Sequence, residues 1–421
     1  MNEEIENTRI CVVGLGYIGL PTASLLATKG YRIHGVDVSE RVVATINEGR
    51  IHIREPELDV LVKSAVQSGR LKAALEPAAA EVFILAVPTP FKGEHEPDLN
   101  YVEAATRSIA PHIKAGDLVI LESTSPVGTT EKVAEWLAEM RPDLSLPARI
   151  GGVADPENAV FVAHCPERVL PGHILRELIE NDRIVGGVDE ASTKAAARFY
   201  NSFVSGKVLE TDSRTAELAK LAENTYRDIN IAYANELSMI CDKLDIDTWT
   251  LIELANHHPR VNILNPGPGV GGHCIAVDPW FVIHSAPELA KLARAAREVN
   301  AAKPEYVVEK IKAKANRFKN PVIACLGLAY KPDIDDLRES PAVEIVEALA
   351  DAGIGTVRAV EPHVSELPAS LASRGVQLQS LEEGLQNADL IVVLVRHSIF
   401  QRIKPATIRE AVIVDACGLW A

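Results

Sequence analysis

Cys274 lies in the stretch NPGPGVGGHCIAVDP, residues 265 to 279, where three of the four residues before His273 are glycines and Asp278 follows four positions later. A thiol in such a loop, beside hydrogen-bond donors and an acid, is suited to act as a nucleophilic thiolate. The same residue types also allow a buried structural thiol. Cys11 and Cys325 sit inside apolar runs and read as inert core. A metal site built from His257, His258, His273 and Cys274 is set aside because that spacing fits no zinc pattern, and no metal is expected.

Lys220 and Asn224 stand four apart in a helical stretch, so they share a face and could point together at one reacting oxygen. A solvated face, with Lys220 paired to Glu217 or Glu223, is the alternative. Glu167 in HCPERVLPG directly follows a strand, where a general base could be held, although exposed loop glutamates are common. Two further loops leave strand ends and offer hydroxyls: VPTP at 87–90, with Pro88 and Thr89, and ESTSPVGTT at 122–130, with Thr124 and Ser125. Each reads either as a ligand loop or as a capped turn.

RICVVGLGYIGLP places Gly14, Gly16 and Gly19 immediately after a strand and at the start of a helix, with Tyr17 and Ile18 between the last two. The first glycine permits the tight turn, the second lets backbone approach a pyrophosphate, and the third lets helix and strand pack closely. Asp37 ends the next strand at the spacing of an acid that binds ribose hydroxyls, which favours NAD over a cofactor bearing a 2′-phosphate. Arg41, one helical turn later, pulls weakly the other way.

These residues need elements to position them. Strand-like runs at 9–13, 31–36, 81–87 and 118–122 alternate with Ala- and Leu-rich helical stretches, the pattern of a parallel α/β sheet. Further runs at 159–164, 183–187 and 207–210 extend this domain to residue 212. Helical periodicity dominates from 213 to 316, broken inside its second stretch only by Pro304. Strand-like runs return at 322–326, 356–360, 390–395 and 412–414, so a smaller α/β domain covers 317–421. The expected architecture is α/β: a Rossmann-type dinucleotide domain (1–212), a helical central section (213–316) and a C-terminal Rossmann-like domain (317–421).

A formal net charge of −15 argues against nucleic-acid partners, which require phosphate neutralisation by Lys and Arg. The acidic start lacks a signal-peptide profile, no apolar run is long enough for a bilayer, and the cysteines form no CxxC pair. A cytoplasmic protein without membrane contact is expected.

Taken together, GLGYIGLP, STSPVGTT, CPERVLPG, AELAKLAENTYRDINIAYANEL, PGPGVGGHC and GLAYKPDIDDLRESP resemble the UDP-sugar 6-dehydrogenase family over nearly the whole chain. The resemblance implies an NAD domain, a helical middle and a UDP-binding C-terminal domain. It further implies Cys274 as nucleophile, Lys220 and Asn224 as oxyanion stabilisers, Asp278 and Glu167 in proton transfer and water attack, and Thr124 supporting that water. Sugar-nucleotide contacts are implied at Arg168, Val169, Asn262, Gly271, Lys331 and Arg338, and at Arg260, which resembles an arginine reaching a neighbouring subunit's site. A homo-oligomer, at least a dimer, follows.

Glucose-type members carry FPKD after the cysteine where this chain has IAVDP. HHPRVNILNPGPGVGGHCIAVDPWF instead resembles members that oxidise UDP-N-acetylmannosamine or UDP-N-acetylglucosamine, and the former is favoured. The implied reaction is a four-electron oxidation of the sugar 6-hydroxyl through a cysteine thiohemiacetal and thioester. A single-hydride dehydrogenase is the rival enzyme reading; it would need neither Cys274 nor a second α/β domain.

Overall fold

The computed structural model describes residues 7–53, 55–93, 95–151, 155–272, 274–404, 408 and 410–420, so His273 lies outside the described residues. They divide into two compact units between Ala222 and Glu223, inside the helix Ser213–Leu244.

In the first unit, β1 (Arg9–Val13), β2 (Arg32–Val36), β3 (Leu71–Ala74) and β4 (Val82–Leu85) are followed by a small hairpin, β5 (Phe91–Lys92) and β6 (Glu96–Pro97). Then come β7 (Leu118–Leu121), β8 (Phe161–His164), β9 (Arg183–Gly187) and β10 (Val208–Asp212). Apart from the hairpin these strands form one sheet, ordered β10-β9-β8-β7-β4-β1-β2-β3. Alternate residues serve opposite faces: Ile10 and Val12 join one core cluster with Leu20 and Leu26, whereas Cys11 and Val13 join another with Val102 and Val133. Both faces are therefore covered, which is why the central strands read as continuous apolar runs.

Two features depart from expectation. β3 (LKAA) has weak β character and exists because its Leu71 and Ala73 complete the core at the sheet edge. The sheet is also not wholly parallel, because β9 pairs antiparallel to β8, with His164 opposite Gly186. Carrying that register three residues beyond β8 puts Arg183 opposite Glu167.

The second unit comprises the end of the long helix, the helices Thr248–Asn256, Asp278–Ser285 and Lys291–Ala315, and a five-stranded parallel sheet. Its strands are β11 (Val322–Leu326), β12 (Thr356–Val360), β13 (Gln377–Leu378), β14 (Leu390–Val393) and β15 (Val412–Asp415), ordered β13-β12-β11-β14-β15. The helix Lys291–Ala315 retains Pro304 in its interior. Among the described residues, no helix is long and apolar enough to cross a membrane.

The first turn of each sheet is built alike. Gly14 (φ +93°) donates to Val36 O at 2.8 Å, and Asp37, just beyond β2, accepts from the Leu15 and Ser39 amides at 3.2 and 2.9 Å. Gly327 (φ +90°) donates to Val360 O at 2.9 Å, and Glu361, just beyond β12, accepts from the Leu328 and His363 amides at 2.7 and 3.1 Å. Glu361 alone is buried against a histidine: its Oε2 lies 3.0 Å from His397 Nε2. Because the Asp333 amide donates to His397 Nδ1 at 2.9 Å, Nε2 carries the ring proton and donates to Glu361. Burial alone would raise the Glu361 pKa, but His397 and the Leu328 amide hold it below the ordinary carboxylate range.

Candidate active site

At the β1 turn a Cβ on Gly14 would meet Ala86 O at 2.4 Å, and one on Gly19 would fall 1.8 Å from Gly14 O. At Gly16 a Cβ would meet nothing within 4 Å, so the backbone there stands open to a ligand. The helix Gly19–Thr28 begins directly beyond, with amides suited to a pyrophosphate. Asp37 is half-buried and retains acceptor capacity beside its two backbone bonds. Tyr17 and Arg41 are exposed and Ile18 is half-buried. This geometry fits NAD, which when bound supplies the hydride acceptor; the residues' own task is to hold its pyrophosphate and ribose.

His52 was not singled out by sequence. Its Nδ1 is buried without a partner among the described residues, and burial lowers its pKa, with Asp37 raising and Arg41 lowering it further. Only its closeness to Asp37 in the fold identifies it.

The two hydroxyl loops of this unit meet: Thr89 Oγ1 donates to Thr124 O at 2.5 Å. Ser125 is buried and gives its proton to Ser123 O at 2.7 Å, while Pro88 is exposed. Glu217 does not pair with Lys220. It is buried and accepts from the Gly128 amide, the Thr130 amide and Thr130 Oγ1 at 2.6, 2.7 and 2.6 Å, fixing the start of the helix Thr129–Met140. Burial pushes its pKa up to about 6 against these donors. Lys220 is half-buried, one turn before Asn224 on the same helix.

Glu167 is not an exposed loop residue. It is 7% exposed, with Oε1 accepting from the Arg168 amide at 2.7 Å and Oε2 from Arg183 at 2.6 Å. Arg168 also donates to Asp182 O, and Val169 packs against Leu25, Ile174 and Leu178. Glu55, another residue without a sequence signal, accepts from the Gly172 and Ile174 amides at 2.8 Å each and so anchors the end of CPERVLPG.

In the second unit Cys274 alone among the six cysteines is exposed. Burial pushes the thiols of Cys11, Cys165 and Cys325 up to about 11, 12 and 12, leaving them inert. Cys274 O accepts from the Asp278 amide at 2.9 Å, turning the chain into the helix Asp278–Ser285. The buried Asp278 takes a 2.5 Å hydrogen bond at Oδ2 from Asn224 Nδ2. Arg297, buried beside Asp228 at 3.4 Å, donates to Ile275 O at 3.2 Å and holds the loop just beyond the thiol.

The glycines before Cys274 answer chiefly to packing. Cβ atoms on Gly269 and Gly271 would meet Pro341 and Glu339 O at 2.9 and 2.3 Å, and one on Gly272 would meet the Tyr330 ring at 2.9 Å. Lys331 is half-buried, Arg338 is exposed beside Asp336 with their closest atoms 2.6 Å apart, and Arg260 and Asn262 are exposed.

A dinucleotide crevice on one α/β unit, a helical section bearing an accessible thiol and a second Rossmann-like sheet define an NAD-dependent dehydrogenase. Three family models cover this chain: the UDP-glucose/GDP-mannose dehydrogenase NAD-binding domain (residues 8–204), central domain (214–302) and UDP-binding domain (324–421). The chain belongs to this family and is an NAD-dependent oxidoreductase of UDP-sugars. It is 56% identical to the NDP-N-acetyl-D-galactosaminuronic acid dehydrogenase of Ralstonia nicotianae, over 99% of this chain and 97% of that protein. It is also 56% identical to the UDP-N-acetyl-D-mannosamine dehydrogenase of Campylobacter jejuni, over 94% and 97%. The UDP-D-ManNAc dehydrogenase structure from Pyrococcus horikoshii superposes with a TM-score of 0.87 at 39% identity, covering 98% of this chain and 96% of that one.

Proposed function

We propose that this enzyme oxidises the 6-hydroxyl of a UDP-N-acetylhexosamine, UDP-N-acetyl-D-mannosamine in the first instance, to the uronate in two NAD-dependent steps. The observation that carries the chemistry is the exposed Cys274 thiol, four residues before an Asp278 engaged by Asn224. An aldehyde formed by the first hydride transfer is captured by the thiolate as a thiohemiacetal, the second transfer leaves a thioester, and water releases the acid. Lys220 and Asn224 are assigned to the oxyanions, Asp278 to proton transfer, and Glu167 with Thr124 to the water. Arg168, Val169, Arg260, Asn262, Gly271, Lys331 and Arg338 are assigned to the sugar nucleotide.

The same reading makes the enzyme a cytoplasmic homo-oligomer, at least a dimer. Its support is a row of exposed apolar residues at seven-residue spacing on the long helix, Tyr226, Tyr233 and Ile240. The acetamido sugar is supported by the names of the relatives, which divide between galactosaminuronic acid and mannosamine dehydrogenases.

The test measures uronate and NADH together across UDP-linked N-acetylmannosamine, N-acetylglucosamine, N-acetylgalactosamine and glucose. Two NADH per uronate with the mannosamine substrate, and poor use of UDP-glucose, are expected. One NADH per product, or equal efficiency with UDP-glucose, overturns the reading. Intact-protein mass spectrometry of acid-quenched Glu167→Gln should reveal a sugar-acyl adduct on the Cys274 peptide.

A further inference from the structure

Gly269, Gly271 and Gly272 precede Cys274, and glycine leaves a backbone more conformations than any other residue. A thiol at the end of such a segment keeps one place only if its surroundings restrain it. Beyond the thiol, Arg297 donates to Ile275 O at 3.2 Å, and the Val277 and Asp278 amides donate to Cys274 O at 3.1 and 2.9 Å. Before it, the restraint is packing. Gly272 (φ +80°) lies against the Tyr330 ring, whose Cε2, Cδ2 and Cζ stand 2.9, 3.1 and 3.2 Å from where a Cβ would be. Gly271 fits between Glu339 O and Tyr330 Cβ, 2.3 and 2.9 Å from the corresponding point.

Tyr330 is itself held by its loop. On one side the Leu328 and Ala329 amides donate to Glu361 Oε2 at 2.7 and 3.1 Å, and on the other the Asp333 amide donates to His397 Nδ1 at 2.9 Å. Glu361 and His397 are buried and bonded to each other at 3.0 Å, so the two anchors act as one. Asp333 adopts φ +59°, a costly conformation for a residue with a side chain, which persists only where the surroundings hold it. Here the Ser398 amide and hydroxyl do so, donating to Asp333 Oδ1 at 2.9 and 3.0 Å.

We propose that Tyr330 is a positioning residue for Cys274: its ring holds the Gly271–Gly272 backbone, and the Glu361–His397 pair holds the loop that carries the ring. This rests on the nucleophilic role proposed for Cys274 above. All of these residues belong to the second unit. The first hydride transfer converts the alcohol to an aldehyde with one NADH and one proton released, and it needs no sulfur. The next step does. Sulfur bonds to the aldehyde carbon, the carbonyl oxygen takes up the proton that the thiol gave, and the resulting thiohemiacetal donates the second hydride. A displacement of about 1 Å can cost such a step about 10²-fold, so loss of the ring should impair capture and spare the first oxidation.

The test follows NADH and uronate in the full-length enzyme with NAD and UDP-N-acetylmannosamine, or whichever UDP-N-acetylhexosamine it oxidises fastest. Uncaptured aldehyde is converted to its oxime with hydroxylamine and measured by mass spectrometry. Wild type should give two NADH per uronate. Tyr330→Ala should form uronate about 10- to 100-fold more slowly, with NADH per uronate above two and the excess matched by oxime. A merely destabilised enzyme loses both products together and keeps the ratio at two. Tyr330→Phe retains the ring and should restore that ratio.

His397→Phe, which fills the space but cannot accept from the Asp333 amide, should also raise the ratio. His397→Asn, whose Oδ1 can replace Nδ1, should bring it back toward two; this pair stands in if Tyr330→Ala does not fold. A ratio of two in Tyr330→Ala or in His397→Phe, or a Tyr330→Phe enzyme as defective as Tyr330→Ala, overturns the proposal. Cys274→Ala separates it from the reading beneath. If that variant makes uronate at a normal rate, the nucleophilic role itself fails; if it stops at the aldehyde while Tyr330→Ala is normal, only the positioning fails.

Discussion

Asn224 Nδ2 donates to Asp278 Oδ2 at 2.5 Å, which ties the long helix to the first turn of the helix that follows Cys274. Asn224 also carries a second amide hydrogen, so one side chain orients the acid and retains a donor. Asn224→Ala should lower kcat about 10²-fold, the usual effect of losing one oxyanion donor. The KM for the sugar nucleotide should stay within about threefold, as for an interaction made only in the transition state. A large rise in KM with unchanged kcat would move Asn224 from the chemistry to ground-state binding.

The Asp37 carboxylate, proposed to bind the ribose, already accepts from the Leu15 and Ser39 amides, so it would have two tasks. Asp37→Asn keeps an acceptor but places a donor against one amide. It should raise the KM for NAD by about 10-fold, corresponding to one hydrogen bond to a charged group, and narrow the preference over NADP. Unchanged cofactor discrimination would remove Asp37 from the ribose.

Glu122 is buried, with Oε1 accepting from Tyr200 Oη at 2.8 Å, and burial raises its pKa, which makes stability depend on pH in a defined direction. The folded state binds this proton more tightly than the unfolded chain, so the stabilisation is complete below the unfolded carboxyl range and is lost as pH rises through about 7. Glu122→Gln keeps an acceptor for Tyr200 and cannot ionise. Its Tm relative to wild type should therefore climb between about pH 5 and about pH 8. A flat difference across that range would show that Glu122 is already ionised in the folded protein.

Tyr226, Tyr233, Ile240 and Leu244 are all exposed on the long helix, Tyr226 at 71%. If this row is a subunit interface, Tyr226→Glu with Tyr233→Glu buries two charges there and should shift the mass measured by light scattering toward a monomer. The same mass as wild type would locate assembly elsewhere.

Much of this architecture was legible in sequence because local chemistry and tertiary role agree. Gly14 and Gly19 have no room for a side chain, and the central strands are apolar on both faces, so motif and periodicity report the same sheet. What was not legible depends on pairing. Arg183 faces Glu167 only because β9 runs antiparallel to β8, a direction that no local pattern in RIVGG encodes. Glu217 sits three residues before Lys220, a spacing that suggests an ion pair, yet its carboxylate turns to the backbone of Gly128 and Thr130, far away in the chain. The glycines before Cys274 were visible, but their cause, the bulk of Tyr330 and Pro341, comes from residues dozens of positions downstream.

The repeated glycine-to-acid turn bears on how the reaction keeps hold of its substrate. At Asp37 the acid stands half-open, whereas at Glu361 the equivalent carboxylate is sealed under His397. The chain has one dinucleotide seat among its described residues, while the proposed oxidation needs two hydride acceptors in succession. In that proposed scheme the first NADH would depart, and a fresh NAD arrive, midway through each turnover. A free aldehyde would have that whole interval in which to escape. In the proposed scheme a bond to Cys274 would work as a tether across the changeover, retaining the substrate as well as activating it.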